Sequence, residues 1–118
     1  MNIAVIAPND LYLESLKTAL SQISGFSVAL ECRNWCDTIV QIAGKQIDVI
    51  LINSAICEND PGGFVKQIRF FSPGAKILML LDRNEECWRD QAIECGADDV
   101  LPQYADKKTL EKHIWQLK

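Results

Sequence analysis

The segment Val49-Ile50-Leu51-Ile52 is the most continuously apolar run in this chain of 118 residues. Polar residues flank it, with Asp48 before the run and Asn53 after it. An apolar run of this length without alternation is typical of a central strand in a parallel sheet, because both faces of such a strand are covered. We therefore expect a buried strand here, with Asn53 at its carboxyl end.

Four further apolar segments on either side of this run predict the rest of a sheet. They lie at residues 3–7, 26–30, 76–81 and 99–101, and a helical pattern follows each of the five segments. Asn9 or Asp10 is predicted to cap the first helix, Asn34 the second and Asp106 the fifth, and Asn84-Glu85-Glu86 is predicted to open the fourth. Strands that alternate with helices predict right-handed crossovers and a doubly wound α/β fold, with five parallel strands between two layers of helices.

Charge and hydropathy exclude several classes of function. The net charge is −4, and the one local cluster of lysines, near the C-terminus, is interrupted by Glu111. Direct nucleic-acid binding by this domain is therefore not expected, because it requires clustered cations. No apolar stretch approaches the ~20 residues of a membrane span, and the N-terminus lacks a signal-peptide pattern. We expect a cytoplasmic chain that folds as one domain over residues 1–118.

The cysteines indicate neither a metal site nor a disulfide framework. The chain contains Cys32, Cys36, Cys57, Cys87 and Cys95. No pair has the Cys-x-x-Cys spacing, and the single histidine, His113, is distant in sequence, so no zinc pattern can be written. We expect no metal and no cofactor, reduced and mostly buried thiols, and a solvated His113. Cys57 lies in a predicted loop and is the thiol to test for reactivity.

Two motifs give the chain a resemblance to a known family. In parallel α/β sheets, functional residues gather at the carboxyl ends of the strands. Ile47-Asp48-Val49-Ile50-Leu51-Ile52 resembles the approach to the phosphorylated aspartate of bacterial response regulators. Gly96-Ala97-Asp98-Asp99-Val100-Leu101 resembles their turn before the last strand. The whole chain resembles a receiver domain, which implies a flavodoxin-like (βα)5 fold with three α/β/α layers.

The resemblance implies five functional positions, and this chain departs from the family at each of them. A working receiver has two acids after the first strand for Mg²⁺, an aspartate ending the third strand, a Ser or Thr ending the fourth, and a lysine after the fifth. The corresponding residues here are Ala7, Pro8, Asn53, Leu81 and Gln103. A shifted alignment would place Asn9 and Asp10 at the acid pair and leave a single carboxylate.

These departures remove the chemistry of phosphoryl transfer. An amide at Asn53 cannot form an acyl phosphate, and Ala7 and Pro8 offer no side-chain ligand to a hard cation. Leu81 lacks a hydroxyl group, and Gln103 lacks a charge. With no catalytic residue among them, the resemblance implies a pseudo-receiver whose phosphoacceptor pocket is degenerate.

The resemblance also implies a surface for partners. Receivers use the face made by the fourth helix, the fifth strand and the fifth helix for dimerisation and docking. Tyr104 follows the fifth strand, where the family usually has a proline, and Trp115 follows Ile114 on the last helix, so both are expected to be exposed. The interface candidates are Gln91, Tyr104, Lys112 and Trp115. Trp35 and Trp88 are expected in the core.

Three functional hypotheses follow. The first is a phosphorylation-independent signalling or transcription-regulatory module that acts by protein–protein interaction or dimerisation, with a DNA-binding output domain if one follows Lys118. The alternative is a flavodoxin-like domain for a small ligand or nucleotide, although Ala7-Pro8-Asn9-Asp10 has no glycine to let the backbone approach a phosphate. An enzyme is a third class, for which no nucleophile and base can be paired.

Overall fold

The computed structural model of the chain describes residues 1–57, 60–82 and 86–117. Within these residues, five strands alternate with five α-helices. The strands are β1 (Asn2–Ile6), β2 (Ser27–Cys32), β3 (Val49–Asn53), β4 (Lys76–Leu81) and β5 (Asp99–Pro102). The helices are α1 (Asp10–Ser21), α2 (Trp35–Ile42), α3 (Pro61–Phe71), α4 (Glu86–Glu94) and α5 (Lys107–Leu117).

The strands form one parallel sheet with the order β2-β1-β3-β4-β5. β3 lies at its centre, with Ile52 level with Ile6 on one side and with Met79 on the other. The expected flavodoxin-like, five-stranded α/β/α fold is confirmed. The strand order reverses between β1 and β3, and a crevice opens at such a point beyond the carboxyl ends of the strands.

Helices cover both faces of the sheet with separate apolar clusters. Leu13 and Leu20 of α1 pack with Leu110 and Ile114 of α5 against one face. α2, α3 and α4 cover the other face, where Phe64 is fully buried. All five residues of β3 are buried, as the continuous apolar run predicts. No helix in the described part of the chain is long and apolar enough to cross a membrane.

The predicted helix starts are confirmed where the structure describes them. Asn9 and Asn34 accept hydrogen bonds from the backbone N–H groups of Tyr12 (3.0 Å) and Asp37 (2.7 Å) at the starts of α1 and α2. Asp106 does the same for α5, accepting from Thr109 at 2.7 Å. Such bonds satisfy donors that have no partner within the helix. Asn84 and Glu85, predicted to open the fourth helix, lie outside the described residues.

The turn at residues 96–98 ties three elements together. The Asp98 carboxylate accepts from the backbone N–H of Ile77 in β4 at 2.8 Å and from Arg69 Nη2 of α3 at 2.8 Å. Arg69 also donates to the carbonyls of Gly96 (2.6 Å) and Ala75 (2.5 Å). In this chain the Gly-Ala-Asp motif therefore fixes α3, β4 and the entry to β5 relative to one another.

The segment between β3 and α3 differs from the loop expected from the sequence. Ser54–Cys57 forms one 3₁₀ turn, with the side chains of Ser54 and Cys57 fully buried. Cys57 is therefore not an exposed loop thiol, and burial raises the pKa of its thiol to about 12. Cys32 is also buried, whereas Cys36 is exposed. The side chain of Cys87 lies outside the described part.

Candidate functional site

The carboxyl ends of the strands border a groove of about 700 Å³ that continues between α1 and α5. Ala7, Pro8, Asn53 and Gln103 all line it. Leu81 lines a second cleft of about 420 Å³ instead, which lies beside β5 and shares Asp82, Gln103 and Tyr104 with the groove. The fold thus brings four of the five positions singled out from the sequence to one site, and the fifth lies beside it.

Asn53 and Gln103 join the ends of β3 and β5. Asn53 Nδ2 donates to Gln103 Oε1 at 2.8 Å, and Asn53 Oδ1 accepts from the backbone N–H of Ala55 at 3.0 Å. Asn53 is only 4% exposed. Both side chains are neutral, so the centre of the site is an amide–amide hydrogen bond with no ionic attraction across it.

The end of β1 supplies no oxygen ligand to this site from a carboxylate. Ala7 is fully buried and has only a methyl group. Asn9 uses its side-chain oxygen to cap α1, and Asp10 accepts from Arg33 Nε at 2.5 Å. Asp10 does not line the groove. The shifted alignment of Asn9 and Asp10 therefore does not place an acid pair in the site.

A serine–aspartate pair at the ends of β3 and β4 was not singled out from the sequence. Ser54 Oγ donates to Asp82 Oδ1 at 2.5 Å and accepts from the backbone N–H of Asp82 at 2.9 Å. Asp82 is the only carboxylate among the described residues that line the groove. The signal for this pair is its position, because each residue directly follows a strand and the two strands are neighbours.

The described residues around this carboxylate do not form a metal-binding cluster. No group of three His, Cys, Asp or Glu side chains able to hold a metal ion occurs among the described residues. Asp82 already has Ser54 as a partner, and hard cations such as Mg²⁺ are bound in proteins through carboxylates, with further oxygen ligands.

Tyr12 is a further member of the site that the sequence did not reveal. Its hydroxyl donates to the backbone carbonyl of Gln103 at 2.9 Å, and its ring meets Tyr104 edge-on with centroids 6.2 Å apart. Burial raises the pKa of Tyr12 to about 12. Tyr12 therefore remains a neutral donor at physiological pH. The only sequence signal is its place three residues after the cap Asn9.

Replacing Tyr12 by phenylalanine is expected to change the alkaline stability of the fold. Below pH 10 the tyrosine is protonated in both states, and loss of its hydrogen bond should cost about 1 kcal/mol. Between pH 10 and about 12 the unfolded state ionises while the folded state keeps its proton, so the advantage of the wild type should shrink as pH rises. Urea unfolding at pH 8, 10 and 11 measures this difference. A difference that grows with pH would contradict the assignment.

The two exposed aromatic candidates lie at different places. Tyr104 is 81% exposed and contacts Tyr12 beside the groove. Trp115 packs against Phe26, with ring centroids 5.2 Å apart, and lies next to Gly25. One step along a helix from the buried Ile114 turns the side chain by roughly 100°, here towards the loop between α1 and β2. Trp115 is therefore on the α1 side of α5, away from β5.

The other candidates lie on or near the face of α4, β5 and α5. Lys112 and Gln91 are both exposed, but Gln91 lies one turn before Cys95, which contacts Gly62 of α3. Arg89 of α4 reaches β5, where its Nη2 donates to the carbonyl of Val100 at 3.5 Å. His113, expected to be solvated, is instead partly buried, with Nδ1 2.6 Å from Asp99 Oδ2. The pairing of His113 with Asp99 joins α5 to β5.

Comparisons with known proteins find the fold in solved structures only. No protein-family model and no curated protein sequence matches the chain. It is similar to the signal receiver domain of NarL from Mycobacterium tuberculosis, with a TM-score of 0.88 and 19% identity over 98% of this chain and 93% of that one. It is also similar to RcsB of Salmonella enterica, solved with promoter rprA and phosphomimetic BeF3⁻, with a TM-score of 0.87 and 16% identity over 100% and 68% of the two chains.

A third similar structure was solved in a phosphorylated form. A response regulator of Burkholderia pseudomallei, solved with a phosphorylated aspartic acid, a calcium ion and citrate, has a TM-score of 0.85. It is 19% identical over 96% of this chain and 65% of that one. At these identities the three similarities show that the chain has the receiver fold.

Proposed function

We propose that this chain is a pseudo-receiver, a phosphorylation-independent signalling or transcription-regulatory module that acts by protein–protein interaction or dimerisation. The hydrogen bond between Asn53 and Gln103 is the observation that carries this proposal. Asn53 and Gln103 lie at the positions where the resemblance to receiver domains implies a nucleophilic aspartate and a lysine. A primary amide is a poor nucleophile, and a neutral pair offers no cation to a phosphoryl group.

The surroundings of the amide pair support the same conclusion. A phosphoryl group brings about two negative charges, which proteins stabilise with metal ions and with Lys or Arg. Ala7 and Pro8 cannot hold a metal ion through their side chains, and Leu81 has no hydroxyl group. Asp82, a carboxylate that lines the groove, would repel a phosphoryl group in the absence of a metal ion.

Without a phosphoryl switch, the loops at the strand ends are held by fixed contacts. The side chain of Gln103 accepts a hydrogen bond from Asn53, and the backbone carbonyl of Gln103 accepts one from the Tyr12 hydroxyl. Ser54 and Asp82 tie the loops after β3 and β4. Any change of state would therefore have to come from a ligand or partner with different affinities for two conformations.

The proposed surface for protein binding is the face of α4, β5 and α5. Ile93 of α4 and Tyr104 after β5 are both exposed large apolar side chains, and Lys112 is an exposed cation on α5. The cleft of about 420 Å³ beside β5 adds a concave element to this face. An apolar surface with polar surroundings is typical of protein interfaces. A DNA-binding output domain, where one is attached, would be regulated through this face.

Sedimentation equilibrium tests the homodimer form of this proposal. We expect self-association to weaken at least tenfold in Ile93→Asp and Tyr104→Ala, about 1.4 kcal/mol, because both changes remove exposed apolar contacts from the face. Val40→Asp is the matched control, since Val40 is an exposed β-branched residue on α2, outside the face. An equal effect of Val40→Asp would contradict the location of the interface. A wild type that stays monomeric at high concentration would exclude the homodimer.

A small-ligand-binding domain is the second candidate function, and the groove between α1 and α5 favours it. A nucleotide is disfavoured, because residues 7–10 contain no glycine and Lys107 is the only cation among the described residues that line the groove. Thermal-shift measurements with nucleotides, flavins and metal ions distinguish this candidate from a module that binds only proteins.

A further inference from the structure

We propose that the groove between α1 and α5 binds a small, uncharged, planar heteroaromatic molecule that has an amide-type edge. This inference rests on the second candidate function, a small-ligand-binding domain, and names its ligand class. It does not depend on the pseudo-receiver proposal, because ligand binding and phosphorylation are measured separately. It rests on the volume, the charge and the side-chain chemistry of the groove.

The groove has the size of a small-molecule site. Its volume of about 700 Å³ falls within the range of roughly 300–1,000 Å³ that is usual for ligand pockets. Ser15 and Ala19 of α1 line it one turn apart, opposite Leu110 of α5. Because Ser15 and Ala19 have short side chains, the groove remains open between the two helices. A larger residue at either position would fill it.

The charge of the lining selects against anions and metal ions. Asp82 and Lys107 are the only charged residues among the described residues that line the groove. Asp82 is bonded to Ser54, and Lys107 Nζ lies 3.3 Å from Gln22 Oε1. A phosphate would face a single cation, and a divalent metal ion would face a single carboxylate. A neutral molecule needs neither several cations nor several carboxylates around it.

The rim of the groove offers apolar surface for a flat ring. Leu11 and Tyr104 line the groove, and they are 82% and 81% exposed, which makes them the most exposed large apolar side chains in the described part of the chain. The edge-on contact with Tyr12, at an angle of 78° between the rings, positions the Tyr104 ring while leaving it exposed. Stacking on such a ring buries apolar area on both partners.

Hydrogen-bonding groups at the strand ends would orient the ligand. Gln103 Oε1 accepts from Asn53, whereas Gln103 Nε2 donates to no other described residue. The side chain of Gln103 lines the groove and is partly exposed, so this donor is available to a carbonyl oxygen. Amide groups of Asn and Gln pair well with the edges of heterocycles that carry both a donor and an acceptor. A lactam or purine-type edge has this arrangement.

Inosine and inosine monophosphate form the probe pair for the test, because they share a lactam-containing ring and differ in the phosphate. Binding to the full chain is followed by ¹H–¹⁵N chemical shifts. We expect inosine to bind with a dissociation constant below about 1 mM, as its size allows, and inosine monophosphate to bind at least tenfold more weakly. Shifted resonances should belong to residues of the groove.

Two kinds of variant localise the binding. Tyr104→Ala and Ser15→Phe should each weaken inosine binding at least tenfold, the first by removing the stacking ring and the second by filling the groove. Both positions are exposed, so folding should be retained. Phe70→Ala is the control, because Phe70 is an exposed aromatic residue on α3, outside the groove. Absence of shifts at about 10 mM inosine, equal binding of the two probes, or unchanged affinity in Ser15→Phe would overturn the proposal.

Discussion

Phe64→Ala is expected to lower the free energy of unfolding by about 3–5 kcal/mol, the usual cost of removing a buried aromatic ring. Phe64 is fully buried in the layer between the sheet and α2–α4. The centroid of its ring lies 4.7 Å from the centroid of the Trp35 ring. The substitution would remove this contact and leave a cavity under α3, because close-packed surroundings relax only in part. Equilibrium urea unfolding followed by circular dichroism measures the change.

Phe70→Ala is the matched control for this substitution. Phe70 is on the same helix but is 78% exposed. Its replacement should change the free energy of unfolding by less than about 0.5 kcal/mol, as is usual for surface positions. Equal losses for the two variants would mean that α3 does not pack on the sheet through the face described.

Asp98→Ala is expected to cost about 2 kcal/mol, because Asp98 accepts hydrogen bonds from a backbone N–H and from a guanidinium. Its carboxylate bonds Ile77 N and Arg69 Nη2, each at 2.8 Å. Both ionic side chains are about a third exposed, so solvent weakens the ionic part, and most of the effect should come from the backbone bond. Glu94→Ala, an exposed acid on α4, is the control and should be nearly neutral.

A double-mutant cycle with Arg69→Ala separates the ion pair from the rest of the network. Because Arg69 and Asp98 are in direct contact, their effects should not add, and a coupling of about 0.5–1 kcal/mol is expected. Strict additivity of the two substitutions would contradict the contact. High salt should reduce the coupling without removing the cost of losing the bond to Ile77.

The fold could be predicted largely from local patterns. The apolar run 49–52 identifies the central strand, and the Asn9, Asn34 and Asp106 caps mark helix starts, because both signals depend on residues close in sequence. The 3₁₀ turn at Ser54–Cys57 was missed for the opposite reason. Its residues are held by burial against other elements, which the local sequence does not record.

Contacts distant in sequence limit what could be predicted of the site. The positions of Ala7, Pro8, Asn53 and Gln103 follow from where the strands end, and the fold brings these residues to one groove. The bond between Asn53 and Gln103 joins residues 50 positions apart, and that between Tyr12 and Gln103 joins residues 91 apart. The pairing of His113 with Asp99 and the turn of Trp115 towards Phe26 likewise depend on how α5 lies on the sheet.

The pseudo-receiver proposal also predicts that one substitution at Asn53 does not restore phosphorylation. Asn53→Asp would supply a carboxylate at the end of β3, but Ala7 and Pro8 would still offer no ligand to Mg²⁺ and Gln103 would still lack a charge. This variant therefore tests whether the whole site, and not only the acceptor, has lost its function.

Intact-mass spectrometry after incubation with Mg²⁺ and acetyl phosphate tests the central claim most directly, with a beryllofluoride thermal shift measured on the same samples. Phosphorylation independence predicts no added phosphoryl mass and no thermal shift, for the wild type and for Asn53→Asp alike. A stoichiometric adduct that hydroxylamine removes would contradict it. Such an adduct on the wild type would mean that another carboxylate, Asp82 or Asp10, accepts the phosphoryl group in place of Asn53.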